Sequence, residues 1–453
     1  MLTWRLSPGP AEQPNATRKG PRMISRHIWN LRNALRKIWV RVVAFAVLAV
    51  ASVVLAQLLS PLLPDWAATR TGAASVDRIL NLMASSMLAV TTFSLSIAVS
   101  AFAAAAQNAT PRAIALLQQD PITQNVLATF LGAFLFSLLG LIALGAELYD
   151  TAGRVVLFFV TIVVTGFVIL ALMRWIGHLM SFGRMGNTLD RVETAAARAL
   201  AAWRRAPHLG GHPANGAAPG GGTDVTARRS GYVQHLDMPS LNALAEKADL
   251  QIHLALRPGG FVAAGQPLAT VQGTPPDSAS RQGIRDAVTI GTDRVFEEDP
   301  RFGLIVLSEI ASRALSPAVN DPGTAISVIG RIVRLLSEWP DRGAPDIRFA
   351  RLHVPQIDAQ DLLTDALRPI ARDGAGTIEV QMRLQKALAS LNRTAPEMFA
   401  GPGARIARDA LARAARAGLG RDEMDTLAAL ADWAGPDPGT DSSGGMSDGA
   451  KGG

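Results

Sequence analysis

The run Val155-Val-Leu-Phe-Phe-Val-Thr-Ile-Val-Val-Thr-Gly-Phe-Val-Ile-Leu-Ala-Leu-Met173 contains no charged residue. A helix needs about 20 apolar residues to cross the hydrocarbon core of a bilayer, so this stretch is long enough to span a membrane. Three further uncharged runs precede it, at residues 42–60, 79–106 and 121–146. Buried helices of a soluble core do not usually come four in a row at this length. The sequence therefore predicts a domain of four transmembrane helices over residues 38–178.

The composition agrees with a membrane protein. The 453 residues are 49% apolar and only 18% charged, and their mean hydropathy is +0.21. Soluble domains are about 25% charged, so this chain has few ions with which to cover a water-facing surface. The chain has no cysteine. Disulfide-stabilised folds, thiolate nucleophiles and cysteine-based metal sites are therefore excluded.

The net charge of +7 is unevenly distributed along the chain. Residues 1–41 have a net charge of +8 and residues 174–206 of +4, whereas residues 42–173 have −1 and residues 207–453 have −4. Positive flanks face the cytoplasm. We therefore expect a bacterial inner-membrane protein with both termini cytoplasmic, whose basic flanks meet anionic lipid headgroups. Because the large C-terminal region is acidic, we expect no nucleic-acid partner.

The remaining segments predict an α+β, mostly helical cytoplasmic domain after the membrane helices. Gly- and Pro-rich composition predicts a flexible linker at 206–230, and terminal composition predicts disorder at 1–37 and 434–453. Alternating and helical patterns predict the ordered units. These units are a basic juxtamembrane helix at 179–205, a small mixed strand-and-helix unit at 231–273, and a mostly helical domain at 282–433.

The densest polar stretch is Arg313-Ala-Leu-Ser-Pro-Ala-Val-Asn-Asp-Pro-Gly-Thr-Ala325. Pro317 ends one helical pattern, and Asp321 followed by Pro322 is typical of the N-cap and first turn of the next helix. The stretch is then a capped elbow between two helices. Alternatively it is a ligand or interface site, since a helix N-terminus can bind anions. The candidate residues of that site are Arg313, Ser316, Asn320, Asp321 and Thr324.

This elbow resembles the signature of a bacterial family of predicted membrane proteins, domain of unknown function 2254. The resemblance covers roughly residues 30–435 and departs at Gly323, where the family usually has a bulky aromatic residue, and at Gly260, where an acid is expected. It implies the membrane architecture but no mechanism, because the function of the family is itself uncharacterised. The other motifs that carry it are Pro111-Arg112, Gly231-Tyr-Val, Arg257-Pro-Gly-Gly-Phe-Val and Asp299-Pro-Arg-Phe-Gly303.

The second apolar run carries a stripe of hydroxyl side chains. Thr92, Ser96 and Ser100 recur every four residues, with Ser85 seven before Thr92 and Gln107 seven after Ser100. A helix places these residues on one face. They favour either close helix–helix packing through small residues or a hydroxyl-lined pore formed by an oligomer.

Enzyme motifs are absent from the sequence. It contains no phosphate-binding loop, His-Glu-x-x-His or Gly-x-Ser-x-Gly pattern, and its seven histidines are dispersed. His208 and His212 fall in the predicted linker, where nothing preorganises a metal site. Glu297-Glu-Asp299 is interpreted as a solvated helix end. We therefore expect neither an enzyme nor a bound metal or cofactor.

Two functions remain open from the sequence. The first is an oligomeric channel-like or membrane-sensing protein with a cytoplasmic assembly or gating domain, and it rests on the hydroxyl stripe and the large appended domain. The second is a membrane-anchored scaffold or regulatory binding protein that has no permeation path.

Overall fold

The fold is taken from a computed structural model. It describes residues 38–59, 75–108, 110–118, 120–150, 153–180, 184–214, 216, 220–340 and 346–435. The disorder expected at 1–37, and at 434–453 apart from Ala434 and Gly435, concerns residues outside these ranges.

Each of the four uncharged runs lies on a helix. Three of these helices are long and apolar enough to cross a membrane, whereas the first has a shorter apolar segment, Val42–Leu58. The expected count of four spans is therefore supported for three helices by this criterion. The four helices are α1 (Ile38–Leu59), α2 (Val76–Asn108), α4 (Pro121–Gly145) and α5 (Gly153–Leu179). A short helix, α3 (Pro111–Gln118), lies between α2 and α4 in the chain.

The four apolar helices share one core. Leu80, Phe130, Phe136 and Leu157 are fully buried in it. Large apolar side chains on the opposite faces are exposed, as expected for helices whose outer surface meets lipid. Helix α1 belongs to this bundle: an added Cβ on Gly132 of α4 would lie 2.4 Å from the Phe45 ring of α1.

Two helices connect this bundle with the C-terminal part. They are α3 (Pro111–Gln118), between α2 and α4, and α6 (Met185–Arg205), which follows α5. Although α3 lies between apolar helices in the chain, its Ala113 is buried in the C-terminal core together with Leu189 and Val192 of α6. The short loop between the second and third apolar helices therefore packs against the C-terminal part.

Two β-sheets follow α6. The larger has five strands in the order β1-β8-β4-β6-β2, with β8 parallel to β1 and β4 and the other pairs antiparallel. The smaller is antiparallel, in the order β5-β3-β7. The strands are β1 (Gly211–Ala214), β2 (Thr223–Thr226), β3 (Gly231–Leu236), β4 (Gln251–Leu254), β5 (Phe261–Val262), β6 (Pro267–Gln272), β7 (Val288–Gly291) and β8 (Phe349–Pro355).

The prediction of a flexible linker over 206–230 was wrong for two of its segments. Strands β1 and β2 lie there, and each forms one edge of the five-stranded sheet. An edge strand is ordered by backbone hydrogen bonds to its single neighbour, so it does not need the apolar alternation that identifies a central strand. Neither strand could therefore be predicted from composition alone.

Helices dominate the rest of the chain. Apolar faces of α9, α10 and α11 pack into one core with the sheets and α6. The mostly helical domain predicted over 282–433 thus also contributes strands β7 and β8 to the sheets of the preceding unit. These helices are α7 (Met238–Lys247), α8 (Ser278–Ala287), α9 (Phe302–Ala314), α10 (Pro322–Ser337), α11 (Ala359–Asp373), α12 (Ile378–Thr394), α13 (Pro396–Arg416) and α14 (Arg421–Ala431).

Candidate functional site

A buried carboxylate lies where the apolar bundle meets the C-terminal part. Asp120 is the N-cap of α4, and Pro121 occupies the first helical position, where a missing N–H costs nothing. The Asp120 carboxylate accepts hydrogen bonds from the Thr123 backbone N–H at 2.9 Å and the Thr123 hydroxyl at 2.6 Å. Its side chain is only 2% exposed.

Two further helices bring polar groups to this carboxylate. His178, near the end of α5, places Nε2 2.7 Å from Asp120 Oδ2, and Arg191 of α6 donates from Nη1 to Oδ1 at 2.8 Å. Burial opposes ionisation of Asp120, but the hydrogen bonds from Thr123 and the Arg191 guanidinium outweigh it and hold its pKa below the usual range. We call Asp120, Thr123, His178 and Arg191 the junction cluster. It ties the ends of two apolar helices to α6.

Helix α6 is joined to the C-terminal helices by charge and by close packing. Glu193 of α6 accepts from Arg331 and, at 2.9 Å, from Arg334, both on α10. Gly303 in the first turn of α9 packs directly against Ala196, since an added Cβ would lie 2.4 Å from the Ala196 Cβ. This contact leaves no room for a side chain at position 303.

A second link bypasses α6. Arg112 on α3 forms an ion pair with Glu309 on α9. The apolar bundle is therefore held to the C-terminal part through α3 as well as through α6. Arg112 belongs to the Pro111-Arg112 motif, and its partner, 197 residues further along the chain, was not predictable from that motif.

The hydroxyl stripe faces away from the apolar bundle. Ser85, Thr92, Ser96 and Ser100 are exposed on α2. The opposite side of the same helix is buried against the bundle through Met83, Met87, Ser94 and Ala98. Gln107 belongs to α2, but its side chain is outside the described set.

The elbow between α9 and α10 has the capping geometry expected from its sequence. Asp321 accepts from the Thr324 backbone N–H at 3.0 Å, and Pro322 opens α10. The Ser316 hydroxyl donates to the Arg313 carbonyl at 2.7 Å, and Asn320 has a left-handed φ of 48°. The five candidate residues are thus neighbours in one turn. The hydrogen bonds from Thr324 lower the pKa of Asp321.

A charged cluster that sequence reasoning missed surrounds Asp299. The interpretation of Glu297-Glu-Asp299 as a solvated end was wrong for Asp299, which is only 1% exposed and pairs with Arg294 at 2.6 Å. Gly259 approaches so closely that an added Cβ would lie 2.1 Å from the carboxylate. Burial raises the pKa of Asp299, which the Arg294 guanidinium only partly offsets.

The same cluster explains why two of the sequence motifs belong together. Gly259 comes from Arg257-Pro-Gly-Gly, and Asp299 opens Asp299-Pro-Arg-Phe-Gly. Arg301 pairs with Asp361 at 2.8 Å and with Asp365 at 2.6 Å, so it fastens this loop to α11. These contacts satisfy the charges within the protein, and we interpret the cluster as structural.

An apolar helix bundle fastened to a helix-and-sheet part defines a membrane protein of a particular architecture, and comparison with known families agrees. The chain belongs to the family described as predicted membrane protein (DUF2254), which matches residues 36–390. Uncharacterized proteins of Mycobacterium bovis and Mycobacterium tuberculosis are each 30% identical in an alignment of 280 residues that covers 57% of this chain and 50% of the relative. The chain thus spans about half the length of the curated relatives it matches. No solved structure matches it significantly.

Proposed function

We propose that this chain forms an oligomeric, channel-like membrane protein whose C-terminal part controls the arrangement of the membrane helices. The observation that carries the proposal is the outward orientation of the hydroxyl stripe on α2. The proposed protein is non-enzymatic and acts through conformation.

The hydroxyl stripe is not needed for packing within one copy, because the buried face of α2 lies on the other side of the helix. Two of its hydroxyls are satisfied within the helix: Thr92 donates to the Leu88 carbonyl at 2.8 Å and Ser85 to the Asn81 carbonyl at 3.0 Å. A hydroxyl-bearing face gains little from lipid tails and favours contact with another helix or with water. Further copies of the chain would provide both contacts. Copies of α2 arranged around one axis would pack against each other and line a water-filled path with their hydroxyls.

Control by the C-terminal part is supported by the junction cluster. A displacement of α6 acts on Asp120 through Arg191 and therefore on the first turn of α4. The pair Arg112–Glu309 connects α9 with α3 in the same way. Packed elements of this kind switch between discrete arrangements rather than deforming continuously.

The proposal includes four spans with both termini in the cytoplasm of a bacterial cell. Helix α1 has 22 residues, which makes it about 33 Å long and sufficient for a bilayer core of about 30 Å. Arg184, Arg198 and Arg205 are exposed, the first just before α6 and the other two on it. Their charge favours anionic headgroups and a cytoplasmic position.

The elbow supports the second candidate, a membrane-anchored scaffold. Val319 is 39% exposed in the turn that carries Asn320 and Asp321. The elbow therefore presents one apolar and two polar side chains that a partner could contact. Crosslinking of the full chain tests it. A partner that is captured by the native chain and lost with Val319→Asp supports the scaffold, and capture unchanged by that substitution contradicts it.

Replacing Ser96 with leucine is expected to abolish solute flux through the reconstituted protein. The longer side chain removes a hydroxyl and fills space on the face that lines the proposed axis. Flux is measured in liposomes under voltage, membrane tension and osmotic shock, together with the oligomeric state of the same preparation.

The matched control is Val163→Leu, which adds bulk to an exposed apolar position on α5. Flux should persist in this variant. The absence of flux from the native protein under all three stimuli would contradict the channel, and so would flux that Ser96→Leu leaves unchanged.

A further inference from the structure

Three histidines lie side by side across the five-stranded sheet. His212 on β1 is in register with His353 on β8, which is in register with His253 on β4. The rings of His253 and His353 are stacked with centroids 4.1 Å apart and planes 10° apart, and those of His212 and His353 are 5.2 Å and 24° apart. All three side chains are half-buried.

The row of side chains continues to the far edge of the sheet. His253 is in register with Thr270 on β6, and Thr270 with Asp224 on β2. The Thr270 hydroxyl donates to Asp224 at 2.7 Å. The carboxylate of this row is therefore three strands away from the middle ring, a separation of about 14 Å.

The other charged groups near the row are already paired. Arg351, two residues before His353 and on the same face of β8, pairs with Asp249 at 2.8 Å. Arg348, beside Gly210 at the start of β1, lies 3.9 Å from Asp346. Gln272 of β6 hydrogen-bonds to His253. A proton added to His353 thus enters a site whose nearest titratable neighbours are two other imidazoles.

Strand β1 is the element that this row holds in place. It forms an edge of the sheet, pairs with β8, and follows α6 through the turn Pro207–Gly210. In that turn His208 and Leu209 have left-handed φ values of 52° and 56°, a conformation that non-glycine residues rarely adopt. The Nδ1 atom of His208 is buried without a hydrogen-bond partner among the described residues. The connection from α6 to the sheet therefore contains two strained residues and an unsatisfied imidazole nitrogen.

We propose that His212, His353 and His253 form a pH-sensitive clasp, which holds β1 against β8 while His353 and His253 are neutral and releases it when they are protonated. Release of β1 frees the C-terminal end of α6 from the sheet, while Glu193 and Ala196 still hold the helix to α10 and α9. The clasp goes beyond the proposed function, since it operates whether or not the helices line a pore. Among the described residues no group of three or more His, Asp and Glu side chains is arranged to hold a metal ion.

The direction of the pH effect follows from burial. Burial lowers the pKa of His253, His353 and His208, and the neighbouring imidazoles add to the effect at His353. The pKa values in the folded protein thus lie below the ordinary histidine value of about 6.5. The open state, in which β1 is released, therefore binds more protons than the closed state, in which β1 pairs with β8. The closed state is fully favoured above about pH 6.5 and loses stability as the pH falls below it. Each additional proton bound on opening raises the open-to-closed ratio by up to about tenfold per pH unit.

The cysteine-free chain allows a direct test by double electron–electron resonance on the full protein in lipid nanodiscs. One spin-label pair on Ala214→Cys and Arg368→Cys reports the distance between β1 and α11. A reference pair on Arg368→Cys and Ala412→Cys reports the distance between α11 and α13. Both pairs are measured at about pH 8 and about pH 5, on either side of the ordinary histidine pKa.

We expect the pair involving β1 to show one distance at about pH 8 and a second, longer population at about pH 5. His353→Gln, which cannot be charged, should keep the single distance at both values, and His353→Lys, which fixes a charge in the row, should show the longer population already at about pH 8. The reference pair should stay unchanged throughout, which separates local release from global unfolding. A single β1 distance at both pH values in the native chain would overturn the proposal, and so would a longer population that persists at about pH 5 in His353→Gln.

Discussion

Replacing Asp120 with alanine is expected to lower the free energy of unfolding by about 3–5 kcal/mol, because it leaves Arg191 and His178 at a buried site without their carboxylate. The substitution also removes the cap of α4. The measurement is denaturant unfolding of the purified full chain in detergent micelles. Asp120→Asn should fall between the native protein and Asp120→Ala, since asparagine still caps a helix but carries no charge.

The chain supplies a matched control for this prediction. Asp120-Pro-Ile-Thr123 and Asp321-Pro-Gly-Thr324 cap α4 and α10 with the same bonds from threonine, but Asp321 is exposed. Asp321→Ala should therefore cost only the value of a cap, about 1 kcal/mol. Equal losses from Asp120→Ala and Asp321→Ala would show that the junction cluster contributes nothing beyond capping.

The pH dependence of the two proposed devices differs. The pKa of Asp120 in the folded protein lies below its ordinary value of 3.8, so its contribution is present above that pH and is lost as the pH falls further. The histidine clasp loses stability below about pH 6.5 instead. The Asp120 carboxylate thus remains ionised at about pH 5, where the acid release of β1 is expected.

Replacing Gly303 with alanine is the second substitution with a large expected effect. The added Cβ would overlap Ala196 of α6 and lie 2.8 Å from its Cα, so α6 and α9 must separate. Overpacking of a close contact costs about 1–3 kcal/mol. We expect a destabilisation in this range by denaturant unfolding, together with faster hydrogen exchange in α6.

The control has the opposite expected sign. Gly186 lies in the first turn of α6, is exposed, and has nothing within 4 Å of its added Cβ. Gly186→Ala should stabilise the chain by about 0.4–1 kcal/mol, because alanine loses less backbone entropy than glycine on folding. Stabilisation by Gly303→Ala as well would contradict a backbone-close contact between α6 and α9.

Long periodic and uncharged segments were predictable from the sequence. The run at 155–173 lies within α5, and the Asp-Pro sequence at 321 gives the N-cap of α10. Both signals are local: a helix needs an apolar stretch or a capping residue within a few positions, and these can be recognised without knowledge of the fold. The family resemblance rested on such short motifs and was confirmed.

Contacts between distant segments were not predictable in the same way. Asp120 looked like one of two charges in a short loop, whereas its partners lie 58 and 71 positions further along the chain. The histidines looked dispersed, yet β1, β8 and β4 bring three of them together. Strand β1 itself is specified by the free edge of β8 rather than by its own composition. Such features depend on the assembled sheet and bundle, and a single sequence carries no local signal for them.

Helix α6 connects the membrane helices with the C-terminal part through the junction cluster. This connection is tested by hydrogen exchange of α6 in the full chain, compared between the native protein and Asp120→Ala. We expect faster exchange in the N-terminal half of α6, where Arg191 loses its partner, and unchanged exchange in α13. Faster exchange confined to the first turn of α4, with α6 unaffected, would contradict the connection and reduce Asp120 to a helix cap.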